Sequence, residues 1–267
     1  MLYDCHMHTR FSGDSDAPVH QMLQSAKEKN LAGLCFTDHL DLDYPGEERD
    51  LFLLDLDSYI PYMKELKEGA TDDFFIGLGI ELGLQPHLAS QLHAIVKEYP
   101  FDYVIGSSHV AHHIDPYYPE YYEGRSEREA YEEYFEATLE NIEAFDNFDA
   151  YGHIDYVVRY GPDKDTHFSY KAYADHLDAI LKKLIAMGKG IEINTGGYRS
   201  GLSHPNPRED ILKRYRELGG EILTLGADAH TPQDVAYRFD RLPDLLKSLG
   251  YSYFTVFKNR KPVFYSL

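Results

Sequence analysis

The first apolar run of the chain ends in Asp4-Cys5-His6-Met7-His8, an alternating pattern that is typical of a β-strand. Because side chains on a strand alternate between its two faces, His6 and His8 point to the same face. Near the other end of the sequence, Ala227-Asp228-Ala229-His230 repeats this two-residue spacing at the end of another apolar run. The two stretches predict two strands, each with a pair of polar side chains on one face at its C-terminal end.

Short apolar runs alternate with segments of helical periodicity along the whole chain, which predicts a single α/β domain over residues 1–267. Residues 251–267 are rich in aromatic and β-branched side chains, and we expect them to form a β-rich tail packed on that domain. The seven predicted strands are residues 2–8, 33–39, 74–82, 103–110, 150–158, 190–194 and 222–230, with helices between them.

Repeated right-handed βαβ crossovers give either an open doubly wound sheet or a closed barrel. An open sheet would concentrate its polar residues at one switch point, whereas here they lie at the ends of nearly every strand. The C-terminal strand ends of a TIM-like barrel all surround one mouth. We therefore predict a (β/α)7 barrel with a site at that mouth.

The composition limits the functional classes. The 267 residues include 26 Lys and Arg against 45 Asp and Glu, a formal net charge of −19 that argues against nucleic acid as a partner. Two cysteines are too few for a disulfide framework. No apolar run reaches the ~20 residues that span a bilayer, and no signal-peptide pattern is present. We expect a cytoplasmic protein that acts on a small molecule and has no membrane partner.

Six separate segments end in side chains that bind metals. A single histidine at a strand end is more often structural than a ligand, but the shared position of these residues favours a metal centre. Eight ligands are too many for one ion, so the pattern predicts a multinuclear site of zinc, iron or manganese, bridged by a carboxylate. The eight residues are His6, His8, His39, Glu81, His109, His153, Asp228 and His230.

These segments also carry a family resemblance. The motifs resemble those of the PHP family, the polymerase and histidinol phosphatase phosphoesterases, and more narrowly its histidinol-phosphate phosphatases. The resemblance implies a distorted seven-stranded barrel and hydrolysis of L-histidinol phosphate to L-histidinol and phosphate, a step of histidine biosynthesis. The motifs are residues 4–14, Phe36-Thr37-Asp38-His39, Gly79-Ile80-Glu81, Gly106-Ser107-Ser108-His109, Gly152-His153-Ile154-Asp155 and Gly226-Ala227-Asp228-Ala229-His230.

The resemblance further implies how two to three divalent ions are held. One ion would take His6, His8, Glu81 and Asp228, a second would share Glu81 and add His109 and His153, and a third would take Asp14, His39 and His230. Several family members have histidine at the position of Asp14, so this residue is either an unusual ligand or an ordinary turn residue. Asp4 and Asp38 either orient imidazoles or are plain strand-end acids.

Such a centre would hydrolyse a phosphate ester with a metal-bridged hydroxide and without a protein nucleophile. Asp228 or His230 would protonate the leaving group. Arg159 and Arg199 are candidates to bind phosphate, while His112 and Tyr117 in the loop 110–125 are candidates to bind the rest of the substrate. Three alternatives remain: a PHP-type phosphoesterase for a nucleotide or another small phosphate ester, an amidohydrolase-like enzyme, and a metal-storage or metal-sensing module.

Overall fold

The computed structural model describes residues 1–46, 49–71 and 73–267. Its main sheet is parallel throughout and follows the order β1-β2-β4-β5-β6-β7-β8, with β3 continuing the line of β2 beside β4. The strands are β1 (Tyr3–Asp4), β2 (Gly33–Phe36), β3 (His39–Leu40), β4 (Phe75–Gly83), β5 (Tyr103–Ser107), β6 (Ala150–Tyr151), β7 (Gly190–Asn194) and β8 (Leu223–Gly226).

The sheet closes because the first strand segment bonds to the last. The backbone N–H of Cys5 donates to Leu225 O at 2.8 Å, and the N–H of His8 donates to Ala229 O at 2.8 Å. In the other direction, the N–H of Asp228 donates to the carbonyl oxygen of His6 at 2.8 Å. These bonds complete a distorted parallel barrel with helices around it, which confirms the predicted fold class.

Helices connect the strands on the outside of the barrel. Ser126 followed by Glu129 predicts a capping box at a helix start, and it is present there, since the Ser126 backbone N–H donates to Glu129 and the Glu129 N–H donates to Ser126 Oγ. The helices are α1 (Val19–Glu28), α2 (Leu56–Glu68), α3 (Ala89–Glu98), α4 (Glu127–Ala144), α5 (Ala174–Ala186), α6 (Gly196–Arg199), α7 (Glu209–Glu217) and α8 (Leu242–Ser248). Across the described ranges, none of the helices combines the length and the apolar character needed to cross a lipid bilayer.

Several predicted boundaries were wrong. The strands predicted over residues 2–8, 103–110 and 222–230 end at Asp4, Ser107 and Gly226, and the strand predicted over 33–39 is divided into β2 and β3. The strand predicted over residues 150–158 ends at Tyr151, and Tyr156–Arg159 forms a 3-10 turn instead. All four residues of that turn are buried, and a short buried apolar run does not distinguish a strand from a buried turn. The sequence pattern of residues 234–249 predicts a helix interrupted at Pro243, but helix α8 starts only at Leu242, with Pro243 in its first turn, where proline is tolerated.

The C-terminal segment forms an antiparallel hairpin of β9 (Tyr253–Lys258) and β10 (Lys261–Ser266). Phe254 and Val256 are fully buried and belong to the same apolar cluster as the barrel core. The Leu223 N–H donates to Thr255 Oγ1 at 3.3 Å, which ties the hairpin to β8. The organisation of residues 1–267 as one domain with 251–267 as its tail stays a prediction.

Candidate metal centre

The nine side chains predicted as ligands lie together at the C-terminal mouth of the barrel. Parallel strands all end on this side, so residues far apart in sequence meet there. His6, His8 and Glu81 are completely buried at the bottom of the mouth. The residues that the structure brings together are His6, His8, Asp14, His39, Glu81, His109, His153, Asp228 and His230.

One group of donor atoms is formed by two histidines and two carboxylates. His6 Nε2 lies 3.1 Å from His8 Nε2 and 3.1 Å from Glu81 Oε2. Asp228 Oδ1 lies 3.6 Å from His6 Nε2 and 3.3 Å from His8 Nε2. Tetrahedral bonds of ~2.0–2.1 Å put neighbouring donors about 3.3 Å apart. The spacing of these four atoms therefore suits a single ion.

A second group uses the other oxygen of Glu81. Its Oε1 lies 3.0 Å from His153 Nε2 and 3.3 Å from His109 Nε2. Ser107 Oγ also donates to this oxygen at 2.7 Å and fixes the rotation of the carboxylate. The two oxygens of Glu81 thus face different sets of imidazoles, as expected of a carboxylate that bridges two ions.

A third group lies nearer to solvent. Asp14 Oδ2 is 2.9 Å from His230 Nε2 and 3.6 Å from His39 Nε2. The ring of His8 stacks between the rings of His39 and His230, with centroid distances of 4.1 and 4.2 Å. Asp14 thus lies in a turn, and its carboxylate contacts the imidazoles of His39 and His230.

The charged groups of the site shift one another's pKa values. Burial alone would raise the pKa of Glu81 and of Asp228, but the surrounding imidazoles, chiefly His6, outweigh burial and hold both pKa values well below their ordinary range. Burial would lower the pKa of His6, yet the carboxylates, with Glu192 first, raise it well above its usual value. Burial and the neighbouring imidazoles lower the pKa of His8. Ionised carboxylates and the neutral imidazole of His8 are forms that bind metals, whereas an ion bound to His6 must first displace a proton from it.

The residues present fit a divalent transition metal. Imidazole nitrogens and carboxylate oxygens together suit zinc, manganese and iron. Six buried side-chain polar atoms among the described residues make no hydrogen bond, and three of them belong to this cluster, namely His39 Nδ1, Asp41 Oδ2 and His153 Nδ1. Five overlapping triads of side chains place their donor atoms within 4.8 Å of one another, and Asp41 is their one member that the sequence did not predict.

Sequence reasoning missed the groups that hold the imidazoles in place. Asp41 Oδ1 lies 2.7 Å from His109 Nδ1, and Ser12 Oγ lies 3.1 Å from His8 Nδ1. Asp41 follows His39 by two residues, so the alternation that paired His6 with His8 was a usable signal.

Two further missed residues lie on β7. Glu192 and Asn194 are buried at 1% and 0% exposure inside the barrel. A fully buried glutamate in an apolar strand is unusual unless it is paired, and this was the signal that the sequence offered.

Asp4 and Asp38, the two strand-end acids, bind mainly backbone and hydroxyl groups. Asp4 accepts from the N–H of Ala227 at 2.9 Å and from that of Ala236 at 2.7 Å. Asp38 accepts from Thr9 N at 2.7 Å and from Ser12 Oγ at 2.9 Å. Asp38 therefore acts on the His8 imidazole only through Ser12.

An open cavity lies over the candidate ligands, and one wall of it is aromatic. Arg159 lines the cavity, and its guanidinium donates to Asp228 Oδ2 at 2.9 Å and to Asn194 Oδ1 at 3.0 Å. Further out, Tyr44 donates to Asp115 Oδ2 at 2.7 Å. Burial raises the pKa of Asp115 to about 6. The wall residues that are not candidate ligands are Asp41, Tyr44, Phe52, Asp115, Tyr156, Arg159 and Tyr160.

The other predicted substrate-binding residues have different neighbours. Arg199 donates through Nη1 and Nη2 to the backbone carbonyls of Ala227 and Asp228, because it lies behind the end of β8. His112 is 44% exposed and contacts Glu133 and Glu140 on α4. Tyr117 is 58% exposed and packs edge-on against Tyr160, a residue of the cavity wall. Their roles in binding stay predictions.

Comparison with known families agrees with this site. The family model described as PHP domain matches residues 4–196, which include seven of the nine predicted ligands. The chain belongs to the PHP domain family. Asp228 and His230 lie beyond the matched range and are joined to it through the closure of the PHP barrel.

Relatives of this PHP chain match it over nearly its full length. It is 32% identical over 268 residues to a probable histidinol-phosphatase of Clostridium acetobutylicum, covering 99% of this chain and 97% of the relative. It is 31% identical to the histidinol-phosphatase of Lactococcus lactis, covering 97% of this chain and 95% of the relative. A crystal structure of histidinol phosphate phosphatase from Lactococcus lactis, complexed with zinc, L-histidinol and phosphate, matches with a TM-score of 0.87, 30% identity and 98% coverage of both chains.

Proposed function

We propose that the chain is a metal-dependent phosphomonoesterase that hydrolyses L-histidinol phosphate to L-histidinol and phosphate. The observation that carries the proposal is the convergence of nine candidate metal ligands at one cavity, in a chain similar over nearly its full length to a protein whose structure contains zinc, L-histidinol and phosphate. Two to three divalent transition metal ions are its cofactors. The substrate is a small molecule, and we place the reaction in the cytoplasm with no nucleic acid involved.

The donor geometry supports a specific distribution of ligands. His6, His8, Glu81 and Asp228 hold one ion, and Glu81 shares a second with His109 and His153. The two Glu81 oxygens support this sharing, since each is within 3.1 Å of a different imidazole. Asp14, His39 and His230 hold the third ion, nearest to solvent.

Bound ions of this kind activate water for attack and neutralise the oxygens of a phosphoryl group. The residues of the chain add a fixed positive charge beside them. Arg159 is 7% exposed and its guanidinium is held by Asp228, Asn194 and Asn206, so its position is set before substrate arrives. A preorganised guanidinium stabilises charge on the phosphoryl oxygens without reorganisation.

Asp228 and His230 are the residues proposed to handle the proton of the leaving alkoxide. Both line the cavity, so both can reach an ester oxygen bound in it. Asp228 Oδ2 is engaged by Arg159, and His230 Nδ1 lies 3.0 Å from the Asp228 carbonyl oxygen. These contacts orient the two side chains toward the same part of the cavity.

The outer cavity suits the cationic end of histidinol. The Asp115 carboxylate is 4% exposed and is held by Tyr44 and by the N–H of Tyr117 at 2.7 Å. An imidazolium or ammonium group that reached Asp115 would gain a charge-assisted hydrogen bond in a site enclosed by the rings of Tyr156 and Tyr160.

The test compares L-histidinol phosphate with p-nitrophenyl phosphate on the metal-loaded protein. Binding energy from the remote imidazole and amine positions the ester, so kcat/KM should favour L-histidinol phosphate despite its poorer leaving group. A protein indifferent to the imidazole would instead be a broader PHP phosphoesterase, and one without phosphatase activity would contradict the proposal.

A further inference from the structure

The strand β7 provides none of the predicted metal ligands, yet it carries two buried polar side chains on the face that points into the barrel. Glu192 and Asn194 are two residues apart and therefore share that face. Every neighbouring strand end delivers a candidate ligand to the mouth above them. The polar groups of β7 thus lie directly beneath the centre.

Each oxygen of the Glu192 carboxylate is engaged. Oε1 lies 2.6 Å from His6 Nδ1. Oε2 accepts from the backbone N–H of His153 at 3.2 Å and from Asn194 Nδ2 at 3.0 Å. Asn194 Nδ2 also lies 3.4 Å from Asp228 Oδ2. One carboxylate therefore contacts residues proposed to bind two different ions.

The Glu192 carboxylate occupies the space beside a glycine of the neighbouring strand end. A Cβ atom added at Gly226 would lie 2.0 Å from Glu192 Oε1, and one added at Gly152 would lie 3.6 Å from its Oε2. Glycine at position 226 thus allows the carboxylate to lie against the end of β8, whereas the distance at Gly152 is an ordinary van der Waals contact.

We propose that Glu192 is a positioning residue of the metal centre, which orients His6 and His153 by accepting three hydrogen bonds. A carboxylate has only acceptors, so the single proton of a neutral His6 is held on Nδ1, and the lone pair of its Nε2 then faces His8, Glu81 and Asp228. This inference rests on the metal centre of the proposed function and not on the identity of the substrate.

Only a carboxylate satisfies this arrangement. Glutamine in the same place would turn its NH₂ group either toward the N–H of His153 and Asn194 Nδ2, which are both donors, or toward His6 Nδ1. The second orientation favours the tautomer of His6 that carries its proton on Nε2, which cannot bind a metal through that atom.

The experiment measures Zn²⁺ binding by the full chain after chelation, using competition with a chromophoric chelator. Glu192→Gln should weaken the binding of at least one ion about 10- to 100-fold, the usual effect of losing such a partner. Glu192→Asp keeps the negative charge, but its shorter side chain moves the carboxylate away from His6. It should therefore weaken Zn²⁺ binding to a comparable degree. Thr224→Val is the matched control, because Thr224 is the neighbour of Glu192 on β8 and bonds Tyr103 instead of a ligand.

The outcomes separate the possibilities. The proposal is overturned if both Glu192 variants bind Zn²⁺ as tightly as the wild type does. It is also overturned if the variants lower the unfolding temperature by the same amount with and without Zn²⁺, because the loss would then not involve the metal centre. Failure of both variants to fold overturns it too, because Glu192 would then serve the core. A wild type that takes up no Zn²⁺ would refute the proposed function itself.

Discussion

Replacing Arg159 by methionine tests whether its guanidinium serves the phosphoryl group. The structure gives it three partners on one side, Asp228, Asn194 and Asn206, while the residue also lines the cavity. Loss of one preorganised charged donor costs about 2–4 kcal/mol in the transition state, or roughly 30- to 1000-fold in kcat/KM. Both L-histidinol phosphate and p-nitrophenyl phosphate should lose activity to the same degree, because they share the phosphoryl group.

Arg199→Met is the comparison variant for Arg159→Met, because it also removes a guanidinium but one that bonds to backbone carbonyls. Arg199 donates to the carbonyl oxygens of Ala227 and Asp228, so its loss should lower the unfolding temperature and change kcat/KM by less than about tenfold. The assay is steady-state kinetics on both substrates, with metal content measured for each variant. Arg159→Met with full metal content and kcat/KM within about threefold of the wild type would refute the assigned role, since the lost donor must then be remote from the phosphoryl group.

Three other outcomes are expected. Glu81→Gln should lose at least one metal equivalent and most of the activity. Ser107→Ala removes the 2.7 Å hydrogen bond to Glu81 and should keep its metal. Full metal content in Glu81→Gln, measured by elemental analysis, would contradict a bridging role for Glu81. Burial raises the pKa of Asp115 to about 6, so its negative charge is lost as the pH falls through that value, and KM for L-histidinol phosphate should rise there. Asp115→Asn should raise KM at pH 8 and lose this pH dependence, while KM for p-nitrophenyl phosphate stays unchanged; equal effects on both substrates would remove Asp115 from the substrate site. Chelation should abolish activity and also the binding of inorganic phosphate measured by calorimetry, and Zn²⁺ or Mn²⁺ should restore both; phosphate binding to the metal-free chain would show that the ions are not required for it.

Polar residues at the ends of the predicted strands indicated the barrel and eight of the nine candidate ligands, whereas Asp14 came from the family resemblance. Parallel strands bring their ends together once the fold is a barrel, and alternation places His6 and His8 on one face of the extended segment that follows β1. The ends of the strands were harder to predict, since Tyr156, Val157 and Val158 are as buried in a 3-10 turn as they would be in a strand.

The partners of the ligands could not be predicted in the same way. Asp41 reaches His109, which is 68 residues away along the chain, and Glu192 reaches His6 across 186 residues. Such pairs depend on the stagger between strands, which the sequence pattern leaves open. The exposure of His112 and Tyr117 likewise depends on how the loop 110–125 folds back on α4 and the cavity wall.

The charge of the chain explains why metal and substrate binding should be coupled. The formal net charge is −19, and the cavity is lined by the carboxylates of Asp14, Asp41, Asp115 and Asp228 against the single guanidinium of Arg159 among the described wall residues. That guanidinium is already paired with Asp228 at 2.9 Å. The carboxylates outweigh burial and raise the pKa values of His39, His109 and His230, so protonated imidazoles offset part of this negative charge in the metal-free cavity. Divalent ions would displace those protons and place more positive charge at the bottom of the cavity, where Coulomb energy is weakly screened. They should therefore strengthen the binding of phosphate as well as support its hydrolysis.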